Sequence, residues 1–259
     1  MSLLRQLVQL IIPTRCVVCQ RVGAEVLCTE CRSGLELVGE KRCLRCGRRR
    51  ETTFASPDCG ECFGRRLGVT RARSLYVYNA VGRALLAEFK YQGHLGVGEA
   101  LAGQLANWIG GGWQAAFDEL ACTCDLVIPV PLHRSRLRTR RFNQSELIAR
   151  AVAKALGLPC IPDVLTRIRE TPTQVGLTEH QRRENVRGAF DVSHARRRLV
   201  DGKRVLLVDD LMTTGATLAA CAGALRRAGC GVAYGLTLFS TCRAVEPPAD
   251  ANTALAGRV

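Results

Sequence analysis

Apolar and polar positions divide the chain into short buried runs and longer amphipathic stretches. The clearest run is 205–208, four consecutive apolar residues that read as a buried strand. The runs at 75–79, 125–131 and 232–239 predict further strands. Helical spacing appears at 80–93, where Leu85, Leu86 and Phe89 share one face, and again at 98–108. A third helix is expected at about 114–120. Asn143 or Ser145 starts a longer one that carries Leu147, Ile148, Ala151, Val152 and Leu156 and ends at Gly157. Residues 217–229 read as a helix stopped by Gly229. The stretch 165–192 is polar, arginine-rich and weakly periodic. It predicts a long mobile loop, a short helix at 179–186 and a return to the body at Phe190, and so a candidate lid. The first 14 residues suggest an amphipathic leader helix, and residues 244–259 a disordered tail.

The stretch 205–218 carries the densest chemistry. Behind its strand stand two adjacent carboxylates, Asp209 and Asp210. Then come Thr213, Thr214, Gly215, Ala216 and Thr217, and a helix. A helix N-terminus offers free N–H groups and a favourable dipole to a phosphate. Gly215 lets backbone approach an anion closely, and three threonines add hydroxyl donors. The paired carboxylates suit ribose hydroxyls or a hydrated Mg²⁺. Neither a Walker A loop nor a dinucleotide-binding glycine pattern is present. A plain helix cap needs neither the double Asp nor three threonines.

Cysteine spacing adds a second chemistry. Eight of the 14 cysteines form four C-x-x-C pairs within about fifty residues. Such pairs read as metal ligands in a reducing compartment, which predicts a cytoplasmic protein. Sequential pairing places one zinc on Cys16, Cys19, Cys28 and Cys31 and a second on Cys43, Cys46, Cys59 and Cys62; an interleaved arrangement satisfies the same spacing. No histidine lies in this segment, so two structural zincs are expected rather than catalytic ones. With few apolar residues, the ribbon at 15–66 is expected to draw its folding energy from metal. Cys122, Cys124, Cys160, Cys221, Cys230 and Cys242 read as small buried or incidental residues.

The net charge of +14 favours anionic partners. Arg48, Arg49 and Arg50 in the ribbon form a candidate contact for a nucleic-acid backbone. So do Arg138, Arg140 and Arg141, which crowd with Arg134 and Arg136 behind the strand ending at Pro131. Guanidinium groups at a strand end suit a polyphosphate equally. His133 is a candidate general acid or phosphate donor. No run of 18 apolar residues is present, so no membrane-spanning helix is expected, and the leader leaves room for peripheral contact with the inner membrane.

The 205–217 stretch resembles the phosphoribosyl pyrophosphate (PRPP) motif of type I phosphoribosyltransferases. The whole chain resembles the ComF family, a competence-associated group. The shared features run from Pro13 through the four cysteine pairs, Lys90–Tyr91–Gln92–Gly93, Pro129–Val130–Pro131 and Arg140–Arg141–Phe142–Asn143–Gln144. They continue with Arg169 through Thr173–Gln174, then 183–190 and the PRPP motif. The family pattern has glycine where Arg141 stands, which argues against a positive-φ role at that position. The resemblance implies an α/β fold, a mostly parallel sheet flanked by helices spanning 70–243, with ligand at the carboxyl ends of the strands. It implies that Asp209 and Asp210 hold the ribose of PRPP with Mg²⁺, and that Thr213, Thr214, Gly215, Ala216 and Thr217 wrap its 5′-phosphate. It puts His133, Arg134, Lys90 and Arg169 on the pyrophosphate side.

Two functions follow from the resemblance and the charge. One is a Mg²⁺-dependent phosphoribosyltransferase acting on an unidentified acceptor. The other is a non-catalytic competence protein that handles single-stranded DNA through its ribbons and basic loops, beside a competence helicase or other competence proteins. Sparse aromatic residues, 5% of the chain, argue against an extensive base-stacking platform.

Overall fold

The computed structural model describes residues 14–23, 25–50, 57–59, 62, 67–92, 95–110, 124–172 and 178–242. The expected leader helix, the helix at 114–120, Thr173–Gln174, Gly93 and the tail lie outside these residues.

Among the described residues, four parallel strands form the sheet: β1 (Ala72–Val77), β2 (Leu126–Pro129), β5 (Arg204–Met212) and β6 (Val232–Ser240), in the order β1-β6-β5-β2. Both faces are covered, as in parallel sheets generally, and the alternation along β5 shows how. Val205 and Leu207 are buried with Leu218, Cys221 and Leu225 of α7 (Ala216–Arg227). Leu206 and Val208 are buried on the other face. There they join Leu85 and Leu86 of α2 (Ala80–Ala87), Leu101 and Leu105 of α3 (Leu95–Gly110), and Ile148 and Val152 of α5 (Gln144–Leu156). A strand with both faces buried must be apolar at every position, and this is why 205–208 stood out in the sequence.

Several elements differ from their expected form. β5 runs nine residues and carries the acidic pair inside the strand, because its ladder with β6 continues past Asp209 to Met212. β1 begins three residues before Leu75, since Ala72 and Arg73 pair with Gly235 and Leu236. The helix after β1 changes into a π-helical turn at Glu88–Gln92, which carries Lys90. The stretch 165–192 is closed at its base by an antiparallel ribbon of β3 (Leu165–Arg167) and β4 (Phe190–Val192). These three-residue strands were too short for a period-2 signal. Between them α6 (Glu179–Val186) stands where expected, with a capping box formed by Thr178 and Gln181.

The arginine cluster is helical rather than looped: α4 spans Arg134–Arg140. Arg141 ends it in the left-handed region, with φ 66°, and its N–H bonds the Leu137 carbonyl. The positive φ is therefore kept without a glycine. A left-handed helix stop is stabilised by the carbonyls it satisfies, and here that outweighs the cost of a side chain.

Among its described residues the cysteine-rich segment has one short helix, α1 (Thr29–Ser33), and it packs directly on the sheet. Its residues Glu36 to Val38 run antiparallel to β1, with Val38 donating to Leu75 and Val77 donating to Glu36. This covers a sheet edge that would otherwise stay unpaired.

Candidate active site

The acidic pair sits at the carboxyl end of β5 with its two side chains in different surroundings. The Ser145 hydroxyl donates to Asp209 Oδ1 at 2.8 Å, and the Asp210 N–H donates to the same oxygen at 2.9 Å. Burial, then the neighbouring Asp210 carboxylate, push Asp209 up to about 7, against the pull of Ser145, Lys90 and the Asp210 N–H. Asp210 forms a 2.6 Å ion pair with Lys90 Nζ. Lys90, expected on the pyrophosphate side, is thus placed against the acidic pair.

The start of α5 organises these contacts. Asn143 caps the helix through the Ser145 N–H at 3.2 Å and donates to the Val130 carbonyl at 3.1 Å. Gln144 donates to the Phe89 carbonyl at 3.4 Å, beside Lys90 in the π-helical turn. Three consecutive side chains therefore reach the end of β2, the π turn and the acidic pair. In the sequence Asn143 and Ser145 read as a helix start, and Asn143 and Gln144 as part of the shared family pattern.

After β5 the chain turns through Thr213, Thr214 and Gly215 into α7. Gly215 is the N-cap residue, with φ 78° and no side chain to cap the helix. Thr214 Oγ1 accepts from the Ala216 N–H at 3.3 Å. A Cβ at Gly215 would stand 3.0 Å from Leu67 Cδ1, so both conformation and contact call for glycine. The turn presents backbone donors and hydroxyls next to two carboxylates. That donor set fits a phosphorylated sugar with a divalent cation.

A cavity of about 350 Å³ adjoins this turn. Cys46, Arg48, Leu67, Arg187, Thr214 and Gly215 are among its walls. The second cysteine cluster and α6 therefore face the turn across one space. Arg48 is 4% exposed, buried in this wall rather than presented to a nucleic-acid backbone. Arg49 pairs with Glu36 and the Leu37 carbonyl, both at 2.7 Å. Arg50 is half-buried, and its N–H bonds Lys41.

The other predicted residues are also accounted for. His133 caps α4: its Nδ1 lies 2.8 Å from Ser135 Oγ and accepts from the Ser135 N–H at 3.3 Å. Arg134, Arg138 and Arg141 are exposed on and just after α4, while Arg140 donates to Gln144 Oε1 at 3.3 Å. Arg169 donates to the carbonyls of Asn185 at 3.0 Å and Arg187 at 2.7 Å, tying the ribbon to the end of α6. The family pattern behind the expected Arg169 and Thr173–Gln174 is Arg-x-x-x-Thr-x-x-Gln, and this spacing fits Arg167, Thr171 and Gln174 instead. Arg167 donates to Thr171 Oγ1, and both are buried. A lone arginine in a polar stretch gives no sign of burial, and the sequence reading passed over Arg167 in favour of Arg169.

The cysteines gather as two separate sets, Cys16 with Cys19, Cys28 and Cys31, and Cys43 with Cys46, Cys59 and Cys62. This is the sequential pairing. Within the sets, Cys19 and Cys28 sulfurs lie 3.7 Å apart, and Cys46 and Cys59 sulfurs 3.6 Å apart. Tetrahedral zinc with Zn–S bonds near 2.3 Å has sulfur–sulfur edges of about 3.8 Å, so both sets fit the ion. Backbone N–H groups support the sulfurs, as from Cys31 to Cys28 at 3.4 Å and from Cys59 to Cys43 at 3.2 Å. Of the remaining cysteines, Cys124, Cys221 and Cys230 are buried and Cys160 and Cys242 half-buried; Cys122 lies outside the described residues.

Sheet, turn and cysteine sets together define a phosphoribosyltransferase-type domain joined to a double zinc ribbon. Comparison with known proteins agrees. A family profile described as "Double zinc ribbon domain" matches residues 7–63, and one described as "Phosphoribosyl transferase domain" matches residues 143–249. The DNA utilization protein YhgH of Salmonella typhimurium is 30% identical over 187 residues, covering 72% of this chain and 78% of the relative. Competence protein F of Haemophilus influenzae is 27% identical over 83% of this chain and 92% of the relative. Competence protein ComFC of Bacillus subtilis is 28% identical over 75% of each. The chain belongs to the ComF family of competence and DNA-utilization proteins. Among the described residues no helix is long and apolar enough to cross a membrane.

Proposed function

We propose that this protein binds PRPP with Mg²⁺ and transfers its phosphoribosyl group to an acceptor, in the service of DNA uptake. The observation that carries this reading is the acidic pair at the end of β5 leading into the glycine-capped start of α7. Asp209 and Asp210 hold the ribose hydroxyls, and the turn from Thr213 to Thr217 receives the 5′-phosphate through N–H and hydroxyl donors. Mg²⁺ would supply charge for the pyrophosphate, next to carboxylates suited to it. Ser145 orients Asp209, and Lys90 holds Asp210 until ligand competes for it. Transfer breaks the bond between the anomeric carbon and pyrophosphate, which leaves with the electron pair. A bond to the acceptor forms, and the acceptor loses a proton. Such a step needs mainly positioned charge on the leaving group. Isothermal titration with PRPP and Mg²⁺ tests the reading. Binding is expected in the parent and a loss of more than about tenfold in Asp209→Asn with Asp210→Asn. A parent that gives no heat and no thermal shift overturns it.

A second reading rests on the exposed Arg134, Arg138 and Arg141 around α4 and on relatives named for DNA utilization and competence. Here the protein is a cytoplasmic handler of single-stranded DNA, beside a helicase or other competence proteins and at times at the inner membrane. Its binding of an oligonucleotide should weaken steeply with salt and with charge removal at Arg138 and Arg141. Affinity unchanged between low and moderate salt counts against it.

A further inference from the structure

Lys90 stands where the acidic pair would otherwise need a counter-ion. Its Nζ lies 2.6 Å from Asp210 Oδ2, in a pair whose side chains are 20% and 11% exposed. Asp209 is held by neutral donors, the Ser145 hydroxyl at 2.8 Å and the Asp210 N–H at 2.9 Å. Among the described residues, Lys90 is thus the cation in ion-pair reach of either carboxylate. The turn that carries it is fixed from several sides. A π-helical turn is rare and frequently marks a functional site; here it follows α2 at Glu88–Gln92. Phe89 is fully buried, with its ring centre 5.7 Å from that of Phe142. Its carbonyl accepts from the Gln144 amide at 3.4 Å, and a Cβ at Gly98 of α3 would stand 2.2 Å from its Cε2. These contacts hold the turn independently of the ion pair, so Lys90 reaches Asp210 from a fixed base.

A carboxylate bonded to an ammonium is a poor place for a second cation. A divalent ion on Asp210 would be forced against Lys90, and like charges so close repel strongly in a partly buried site. A sugar hydroxyl is neutral, and can share Asp210 with the ammonium or draw it aside. We infer that Lys90 is the resident cation of the acidic pair, and that Asp209 and Asp210 therefore take the hydroxyls of a 5-phosphorylated ribose with no divalent ion on the pair. Mg²⁺ is then required for the pyrophosphate half of the ligand alone. Lys90 acts here as a positioning residue, setting the charge of the pair rather than touching the bond that breaks. The inference rests on the PRPP reading, because it states the metal requirement of that ligand's ribose half.

The test uses the full zinc-loaded chain, with Mn²⁺ as a paramagnetic stand-in for Mg²⁺ and ribose 5-phosphate as the probe of the ribose half. By electron paramagnetic resonance, the parent is expected to show no Mn²⁺ site that Asp209→Asn with Asp210→Asn removes. Lys90→Met should gain such a site, because two adjacent carboxylates are left without a cation. Parent affinity for ribose 5-phosphate should change less than about twofold on adding Mg²⁺. Lys90→Met should bind it at least about tenfold more weakly without Mg²⁺, and recover when Mg²⁺ is added. Lys90→Arg keeps the charge and should keep the independence from Mg²⁺. A lysine that only anchors the turn would lower Tm in Lys90→Met and move none of these metal dependences, a result that overturns the inference. So does a Mn²⁺ site on the pair in the parent, or a parent whose ribose 5-phosphate affinity rises about tenfold or more with Mg²⁺. If Lys90→Met does not fold, these two parent measurements decide alone. A parent that binds neither ribose 5-phosphate nor PRPP refutes the PRPP reading, and the Mn²⁺ arm still decides the role of Lys90.

Discussion

The two cysteine clusters share ligand type and C-x-x-C spacing but not surroundings. In the first, only Cys16 is buried, and the cluster packs with Leu27, Leu35, Tyr76 and Leu85 on the α2 and α3 face. In the second, Cys43, Cys46 and Cys62 are buried in the core that holds Ala72, Leu218 and Ala222. The chain leaving it sets Leu67 against Gly215 and Gly68 against Ala219, where a Cβ on Gly68 would stand 2.4 Å from the Ala219 Cβ. Arg226 donates to the Gly68 carbonyl. One cluster therefore fastens cover to the outside of the domain. The other is built into the wall of the turn before α7. Identical metal chemistry serves different ends according to what the sulfurs pack against.

This contrast is open to direct attack. The largest effect is expected from Cys46→Ser. Losing the second metal should cost about 5 kcal/mol, a fall of roughly 10–20 °C in Tm, together with the PRPP-induced thermal shift. Cys19→Ser should lower Tm less and leave the ligand shift in place. Equal loss of the shift in both variants would show that the clusters are not distinguished by their place in the fold.

Gly215→Ala should have an intermediate effect. The strain at positive φ and the contact with Leu67 should cost about 1–2 kcal/mol, read as a Tm drop of a few degrees and weaker PRPP binding. A variant as stable as the parent would mean that the clamp between Leu67 and the turn is loose.

The pH dependence of Asp209 offers a further test. A carboxyl raised to about 7 in the folded state and near 4 when unfolded makes the folded chain bind the extra proton between those values. Its penalty is absent below about pH 4, grows as pH rises, and is complete above about pH 7. Asp209→Asn should thus gain stability over the parent progressively across that window, measured by thermal melts at several pH values. A difference independent of pH would remove the case for a raised Asp209 carboxyl.

Much of the architecture was legible along the chain. The run at 205–208 announced a strand buried on both faces, the helix at 179–186 appeared at its expected place, and the four C-x-x-C pairs sorted in sequence. The Asp-Asp and Thr-Thr-Gly pattern located the turn before α7. These features depend on residues close together in the chain, so spacing and periodicity carry them. What spacing could not carry were meetings between distant segments. Ser145 reaches Asp209 across 64 residues, Lys90 reaches Asp210 from a π-helical turn, and Arg48 turns inward against residues far along the chain. The strands β3 and β4 exist because they find each other, being too short to declare themselves. Arginine looks alike in sequence whether it faces water, as Arg138 does, or is buried against an aromatic ring, as Arg167 is against Phe190. Burial and partner are properties of packing, and the charge balance of the site was settled there.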